Sequence, residues 1–382
     1  MTTVLRIGIV VPRFAPFRGG METYVASAAA ALAAEGAEVT VITQAPRAAA
    51  LPRQEVRDGY TVERHHLPVG DIFDLPAPAA ARAAGETGRF DVEWVHNYHM
   101  PLAWLAAEHA TAPVVFTPHY HGVGHTPLRH ALHRAWRPAG RRLMAVSRRI
   151  VVDTEAEASL VLRDFPSQVQ RETVSVIPPA VADPSRGHDP YPHVGNVVLT
   201  VARQEPYKRT DLLVRAVAEL HHRGRPARLV VVGDGSALPA LRRLTVELDA
   251  EDAVTFTGAV DDDALGRWWA TAALYATASR QEAYGIGLAE ALVAGLPVVV
   301  SDIAAHREVV ERAGPGVAAR LCTTDSTDTA TARRYADAID ALLFMAASSR
   351  DRGPQCKLPS AGQVVGQLLE TLSAARRVGS RV

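Results

Sequence analysis

At 382 residues the chain has room for two domains, and its 48% hydrophobic content is ample for two sizeable cores. Lys and Arg together number 41, as do Asp and Glu, so net charge removes any global case for a nucleic-acid or membrane-surface partner. Cys322 and Cys356 form no close-spaced pair, which argues against a disulfide framework or a structural zinc site. The chain opens on the strand-like VLRIGIVV without a basic and apolar leader, and no uncharged apolar run of about 18 residues follows, so a cytoplasmic protein is expected.

Residues 4–11 read as a strand, 12–20 as a Pro/Gly loop, 21–35 as a helix stopped by Gly36, and 39–43 as the next strand. This is a βαβ unit with its loop at the ligand-facing end of a sheet. Gly19 and Gly20 stand where a phosphate would approach a helix start; the spacing is not GxGxxG, and a plain tight turn is the competing reading. Residues 45–88 are rich in Ala, Pro and Arg, contain one strand at 60–65, and carry no functional assignment. Strands at 91–96 and 114–117 flank a helix near 102–110, continuing the parallel alternation. His119, His121 and His125, with His96 and His99 upstream, raise the question of a metal, but the flanking Pro and Gly spoil helical ligand spacing and no metal is expected.

Between Glu108 and Asp153 there is no acidic residue, yet Arg129, Arg134, Arg137, Arg141, Arg142, Arg148 and Arg149 fall there. Leu128, Leu132, Ala135, Ala139 and Leu143 add an apolar stripe, so an amphipathic helix is expected, with Pro138 as the point where it can break. Three readings compete for this basic 128–149 segment: a solvated face paired with carboxylates, which is favoured, a weak membrane-surface contact, or a surface for an anionic acceptor. Strands at 150–152 and 173–177 enclose a helix at 154–162; then Pro178, Pro179, Pro184, Gly187, Pro190, Pro192 and Gly195 mark the domain boundary.

A second alternating series follows: strand 196–202, helix 210–222, strand 228–233, helix 238–248 and strand 254–257, again doubly wound. Arg203 and Lys208 lie at the strand end and the helix start, where cations oppose the helix dipole unless an anion mediates; ordinary surface cations are the alternative. Asp261, Asp262 and Asp263 resemble a metal cluster, but they directly precede the helical ALGRWWATA, and capping accounts for them.

The stretch SRQEAYGIGLAEALVAGLPVVVSD, residues 279–302, holds a helix over 285–294 and a buried strand over 296–301. Glu290 is the only ionisable residue of that helix, and no Lys or Arg lies between Arg280 and Arg307 to pair with it. Glu282 stands just ahead, and the amides of Tyr284 to Gly287 form an unsatisfied first turn suited to an anion. The axis rises only about 7 Å from Gly285 to Glu290, so one ligand carrying a sugar, a diphosphate and a ribose can touch Glu282, the amides and Glu290 in turn. The competing reading is a helix start with a favourable acid and one solvated Glu. A strand at 316–319, a helix at 329–346 and a helical tail at 364–377 complete the chain.

Glu282, seven residues, then Glu290, with GIGLAEALVAGLPVVVSD between and after, resembles the signature of the family-4 retaining glycosyltransferases of GT-B fold. The resemblance implies two Rossmann-like, doubly wound α/β domains facing across a cleft. Residues 1–180 would bind the acceptor, 181–358 the nucleotide-sugar donor, and 359–382 would cross back as a helix. It implies that Glu282 binds the donor sugar and Glu290 the ribose, with Ala283, Tyr284, Gly285, Ile286, Gly287 and Leu288 beside the donor and the backbone around Val260 at the nucleobase. PFRGGMETYV resembles the glycine loop over the donor diphosphate, which points to Gly20 with Gly19. VVFTPHYHG matches the strand end whose His reaches the donor sugar, here His119. VARQEPYKRTDLL resembles the segment whose Arg and Lys, here Arg203 and Lys208, neutralise the leaving diphosphate, with Ala202 in place of the usual Gly. Pro179 and Ala180 replace the family's Asn-Gly pair.

The implied chemistry is retaining transfer from a UDP- or GDP-type sugar to a hydroxyl acceptor, with no metal, no cofactor beyond the co-substrate and no nucleic acid. Glu282, His119, Arg203 and Lys208 carry the reaction, and the departing phosphate accepts the acceptor proton, so no general base is named. Other GT-B activities, a glycosyl phosphorylase or a sugar-nucleotide epimerase, and a catalytically silent nucleotide-sugar binder are the alternatives.

Overall fold

The computed structural model describes residues 4–17, 19–70, 72, 73, 75–122, 127–192, 194–225, 227–324, 327–348 and 356–377, with the backbone alone at 127–134, 346–348 and 377. His125 lies outside the described residues. The chain divides into two compact units: residues 1–180 together with 359–382, and residues 181–358.

In the first unit the chain runs β1 (Arg6–Val10), α1 (Gly20–Ala34), β2 (Glu38–Ala45), β3 (Gln54–Arg57), β4 (Tyr60–His66), α2 (Pro78–Ala84), β5 (Val92–His96), α3 (Pro101–His109), β6 (Val114–Thr117), α4 (Pro127–Val146), β7 (Ser147–Val152), α5 (Glu155–Asp164) and β8 (Val174–Val176). The sheet order is β3-β4-β2-β1-β5-β6-β7-β8. Every pairing is parallel except β3 with β4. Apolar β-branched runs make these strands because helices cover both faces: Ile7, Ile9, Val39, Val41, Val92, Val115 and Val151 are fully or almost fully buried.

The second unit contains β9 (Val197–Val201), α6 (Thr210–His222), β10 (Arg228–Val232), α7 (Leu238–Glu247), β11 (Val254–Gly258), α8 (Asp262–Thr271), β12 (Leu274–Thr277), α9 (Ile286–Val293), β13 (Val298–Ser301), α10 (Ala304–Ala313), β14 (Ala319–Cys322) and α11 (Asp328–Ser348). Its strands are ordered β11-β10-β9-β12-β13-β14, all parallel. The last helix, α12 (Ala361–Arg377), packs on α1 in the first unit, where Arg376 lies 3.7 Å from Asp91.

Several boundaries differ from the sequence reading. Residues 45–88 hold, besides the expected strand, β3 and α2; β3 and β4 form a hairpin whose Asp58 and Gly59 both take positive φ, at 45° and 83°. Pro138 sits inside α4 without ending it, and Arg148 and Arg149 belong to β7 rather than to the amphipathic helix. The strand expected at 316–319 is displaced to Ala319–Cys322 because Pro315 and Gly316 are spent on the turn that leaves α10. The strand β12 and the charged helix α10 were not anticipated.

Candidate active site

The central strand of the second sheet is β9, with β10 on one side and β12 on the other, so the chain departs in opposite directions from the ends of β9 and β12 and leaves a crevice there. The two loops at this edge are tightly built. After β9, the fully buried Gln204 side chain donates to the carbonyls of Ala202 (2.9 Å) and Val232 (3.2 Å) and accepts from Thr210 Oγ1 (2.8 Å). Arg209, in the left-handed region at φ 51°, is clamped by Asp211 (2.9 Å) and Asp328 (2.7 Å). The amide of Arg280, after β12, donates to the Tyr207 carbonyl at 2.9 Å and ties the two loops together.

Between them Lys208 Nζ donates to Glu282 Oε1 at 2.6 Å, with side chains 15% and 17% exposed. Burial opposes both charges, yet Glu282 raises the Lys208 pKa, and Lys208, His306 and Ser279 lower that of Glu282, so the pair stands ionised. Arg203 is exposed on the same loop, close enough to oppose the Lys208 charge.

Helix α9 starts at Ile286, with Gly285 as its N-cap, a short step after Glu282. Gly285 has φ 101°, which L side chains rarely adopt, and a Cβ on it would meet His306 at 3.1 Å. A Cβ on Gly287 would lie 2.5 Å from the Tyr275 hydroxyl. Both glycines thus let the backbone lie close to its surroundings at the first turn, whose N–H groups have no intrahelical acceptors. Tyr284 and Leu288 are buried in the core, so only their backbone is available to a ligand; Ala283 and Ile286 are partly exposed. Glu290, half-buried, has no charged partner among the described residues, and burial alone pushes its carboxyl up to about 7. The Tyr275 ring lies within electrostatic reach of both Glu282 and Glu290. Val260 occupies the loop from β11 to α8, at the same edge of the sheet, partly buried.

Beneath this turn lies a residue the sequence did not flag. His306, from α10, is fully buried; its Nδ1 lies 3.0 Å from the Ser301 carbonyl, and its Nε2 has no hydrogen-bond partner among the described residues. Burial holds its pKa down, against the pull of Glu282.

In the first unit the corresponding edge gathers other residues. Glu22, on the first turn of α1, folds back so that its carboxylate would collide with a Cβ on Gly19 at 2.3 Å, and Arg13 Nε donates to it at 2.6 Å. The glycine pair Gly19 and Gly20 thus starts α1 as expected, but an acid and its guanidinium partner sit over it. His119 follows β6 in the left-handed region at φ 48°. Its Nδ1 lies 3.1 Å from Asp153 Oδ2 at the end of β7, and its Nε2 lies 3.3 Å from His96 Nδ1 at the end of β5. The two imidazoles stack at 5.6 Å, and the ring of Tyr24 stands edge-on to both.

Glu157 supports this cluster. It accepts from the amides of Tyr120 (2.5 Å) and Asp153 (2.9 Å), while Thr154 Oγ1 caps its own amide at 3.0 Å.

His99 and His121 lie apart from His119 as a ring pair with centroids 4.8 Å apart. Among the described residues no three His, Cys, Asp or Glu side chains converge as metal ligands. Asp261 caps α8, accepting from the Ala264 amide at 2.8 Å, and Asp263 lies 3.3 Å from His188. In the basic segment Arg142 pairs with Glu108 at 2.8 Å and Arg149 donates to the Glu172 carbonyl at 2.6 Å. Among the described residues no helix is long and apolar enough to cross a membrane.

Two doubly wound sheets, parallel except for the β3–β4 edge pair, have the architecture of the GT-B fold of glycosyltransferases, and solved structures agree. Sucrose-phosphate synthase from Thermosynechococcus elongatus superposes with a TM-score of 0.76 at 20% identity, covering 97% of this chain and 100% of that one. Anabaena HepE in complex with UDP-glucose gives 0.69 at 18% identity, with coverage of 97% and 100%. Residues 18–183 match the model of Glycosyltransferase Family 4, and residues 195–343 that of Glycosyl transferases group 1.

D-inositol 3-phosphate glycosyltransferase of Xylanimonas cellulosilytica is 31% identical, over 76% of this chain and 77% of the relative. The protein of the same description from Nocardia farcinica is 30% identical, over 94% and 85%. The chain belongs to glycosyltransferase family 4 and is a glycosyltransferase of GT-B fold.

Proposed function

We propose that the enzyme transfers a sugar from a nucleoside-diphosphate sugar to a hydroxyl acceptor with retention of anomeric configuration and without a metal. The observation that carries this reading is the Lys208–Glu282 ion pair at the mouth of α9. A lysine whose charge is shared with a carboxylate, beside the free Arg203 and an open first turn, suits a ligand joining a hydroxyl-rich sugar to a diphosphate. Glu282, held anionic, orients the sugar by accepting from its hydroxyls. Lys208, Arg203 and the N–H groups at the start of α9 stabilise the charge that develops on the departing diphosphate; the family resemblance adds the Gly20 amide. Glu290 receives the ribose hydroxyls and Val260 lies by the base. The family resemblance assigns His119, in the unit that presents the acceptor, to the donor sugar. The departing phosphate takes the proton of the acceptor hydroxyl.

The neighbouring HepE structure contains UDP-glucose, and the curated relatives are named for inositol 3-phosphate; both support a nucleotide-sugar donor and a hydroxyl acceptor. The test is incubation of the protein with a panel of UDP- and GDP-sugars and polyol acceptors in the presence of EDTA, following nucleoside diphosphate and the anomeric signal of the product by NMR. Transfer with retention supports the proposal. Inversion, dependence on added divalent metal, or product formation only with inorganic phosphate as acceptor overturns it.

A further inference from the structure

His119 is the one histidine of the first unit's carboxyl edge that the proposed transfer uses, and its surroundings bear on how. Both ring nitrogens are committed: Nδ1 to Asp153 Oδ2 at 3.1 Å and Nε2 to His96 Nδ1 at 3.3 Å. Asp153 is itself held, its amide bonded to Glu157 Oε2 and its residue placed at the N-terminal turn of α5 by the Thr154 cap. The side chain of Asp153 is 4% exposed and its Oδ1 has no partner among the described residues, so its acceptor capacity is directed at the histidine and not at solvent. His96 is fully buried and its Nε2 is likewise unpartnered. The backbone of His119 at φ 48° fixes the ring's point of attachment. An imidazole with both nitrogens spent on protein has none left to serve as a base or as a hydrogen-bond donor to a sugar, and the carboxylate at Nδ1 favours the charged ring.

We propose that Asp153 is a positioning residue that keeps His119 as an imidazolium, with His96 as the acceptor of its second N–H, so that His119 acts in the transfer as a fixed cation and not as a base or hydrogen-bond donor. The role in transfer rests on the reading under Proposed function; the proton on His119 does not. Among the described residues the charged and titratable groups around the ring are Asp153 on the loop after β7, Glu157 on α5, Glu22 and Tyr24 on α1 and His96 on β5. Burial opposes the charge most strongly, but Asp153, by charge and by hydrogen bond, with smaller pulls from Glu157 and Glu22, outweighs it and raises the His119 pKa; the Glu157 carboxyl is itself pushed up by burial and by Asp153, so Asp153 is the main source of the pull. His96 is depressed by burial and by the neighbouring His119, which leaves it neutral and able to accept.

The test is Asp153→Asn in the full chain. An amide oxygen can still accept from Nδ1–H, so orientation survives while the charge goes. The imidazole signals of His119, assigned with His119→Gln, are followed by NMR through a pH titration. We expect the midpoint to fall by about one pH unit or more, at least a tenfold loss of proton affinity. An unmoved midpoint in a folded variant overturns the proposal. If Asp153→Asn does not fold, Glu22→Gln removes another facing charge; it should lower the midpoint by less, and no change there is equally fatal.

On any sugar nucleotide that is turned over, the alkaline limb of kcat/KM should shift down by the same interval in Asp153→Asn, and a shifted midpoint with an unshifted limb overturns the cationic role. Should no donor be turned over by the wild type, the transfer reading fails while the titration still decides the state of His119.

Discussion

Lys208 Nζ and Glu282 Oε1 meet at 2.6 Å although 74 residues separate them. The contact exists because β9 and β12 are adjacent strands, so the loops that leave them face each other at the crevice of the sheet. Both side chains are largely buried, and removing one partner strands the other's charge. Lys208→Met and Glu282→Gln should each cost roughly 1–3 kcal/mol in unfolding experiments, with the double variant recovering part of the loss. Turnover should not recover. Each single variant is expected to lose about 10²-fold or more in kcat, and the double variant at least as much, because the interactions with the diphosphate and sugar are gone in all three. Circular dichroism and steady-state kinetics on the three proteins check this; near-wild-type kcat in either single variant removes the pair from the chemistry.

Glu290 gives a prediction in pH. Its carboxyl is pushed up to about 7 by burial, with no cation among the described residues to offset it. Only the ionised form accepts freely from two ribose hydroxyls, so binding of a nucleoside diphosphate should tighten as pH rises through about 7. From pH 6 to 8 the ionised fraction grows about tenfold at such a pKa, which sets the expected change in Kd relative to Glu290→Gln. Calorimetry with the tighter-binding of UDP and GDP, on both proteins at both pH values, isolates the effect from the titration of the nucleotide itself. Parallel pH dependences in wild type and variant would show that Glu290 does not meet the ligand as a carboxylate.

Much of this architecture was legible because the strands are buried on both faces and read as apolar β-branched runs. The bounds expected for β6 and α6 coincide with the observed Val114–Thr117 and Thr210–His222. The hairpin of β3 and β4 was missed although its Asp58-Gly59 turn is a strong local signal, since β3 is the edge strand and its residues Gln54, Val56 and Arg57 are exposed, leaving no apolar alternation to notice. At the site, the types of residue and the open turn at Gly285–Gly287 could be read from spacing. What spacing could not supply was convergence. That Lys208 faces Glu282, or that Asp153 faces His119 across 34 residues, follows from strand order, which a single sequence leaves undetermined. His306 carried no signal at all: nothing in AAHREVVERA distinguishes a histidine under the α9 turn from one on the surface of α10.

The glycine at 287 should be intolerant of even a methyl group. A Cβ there would stand 2.5 Å from the Tyr275 hydroxyl and 3.4 Å from the Val201 carbonyl. Tyr275 is buried and stacked on Trp269, with ring centroids 5.5 Å apart, so it has no room to swing away and α9 must shift instead. Gly287→Ala is therefore expected to cost about 1–3 kcal/mol and to weaken nucleoside-diphosphate binding through the displaced amides. Gly366 on α12 is the control: a Cβ there meets nothing within 4 Å, and Gly366→Ala should stabilise by up to about 1 kcal/mol. Thermal melts with and without UDP measure both. Equal stability of the two variants would mean that the first turn of α9 is not braced by Tyr275.

Glu93 predicts how the first unit responds to pH. It lies fully buried on β5 between β1 and β6, with the Ala112 amide 3.4 Å from Oε1 and no partner for Oε2. Burial raises its carboxyl to about 7, against the smaller pull of the Ala112 and Thr111 amides. The folded chain therefore holds a proton that the unfolded chain, near the ordinary 4.5, releases. For an acid shifted in this sense the stability is fully present below the unfolded pKa and is lost as pH rises, the loss being complete above about 7. The wild type should lose roughly 3 kcal/mol through this group between pH 4.5 and 8. Glu93→Gln keeps the shape and cannot ionise, so its stability should fall less over the same interval and exceed the wild type's at pH 8. Urea unfolding of both proteins at several pH values reads the difference directly; parallel curves would mean that Glu93 is ionised and partnered in the folded protein.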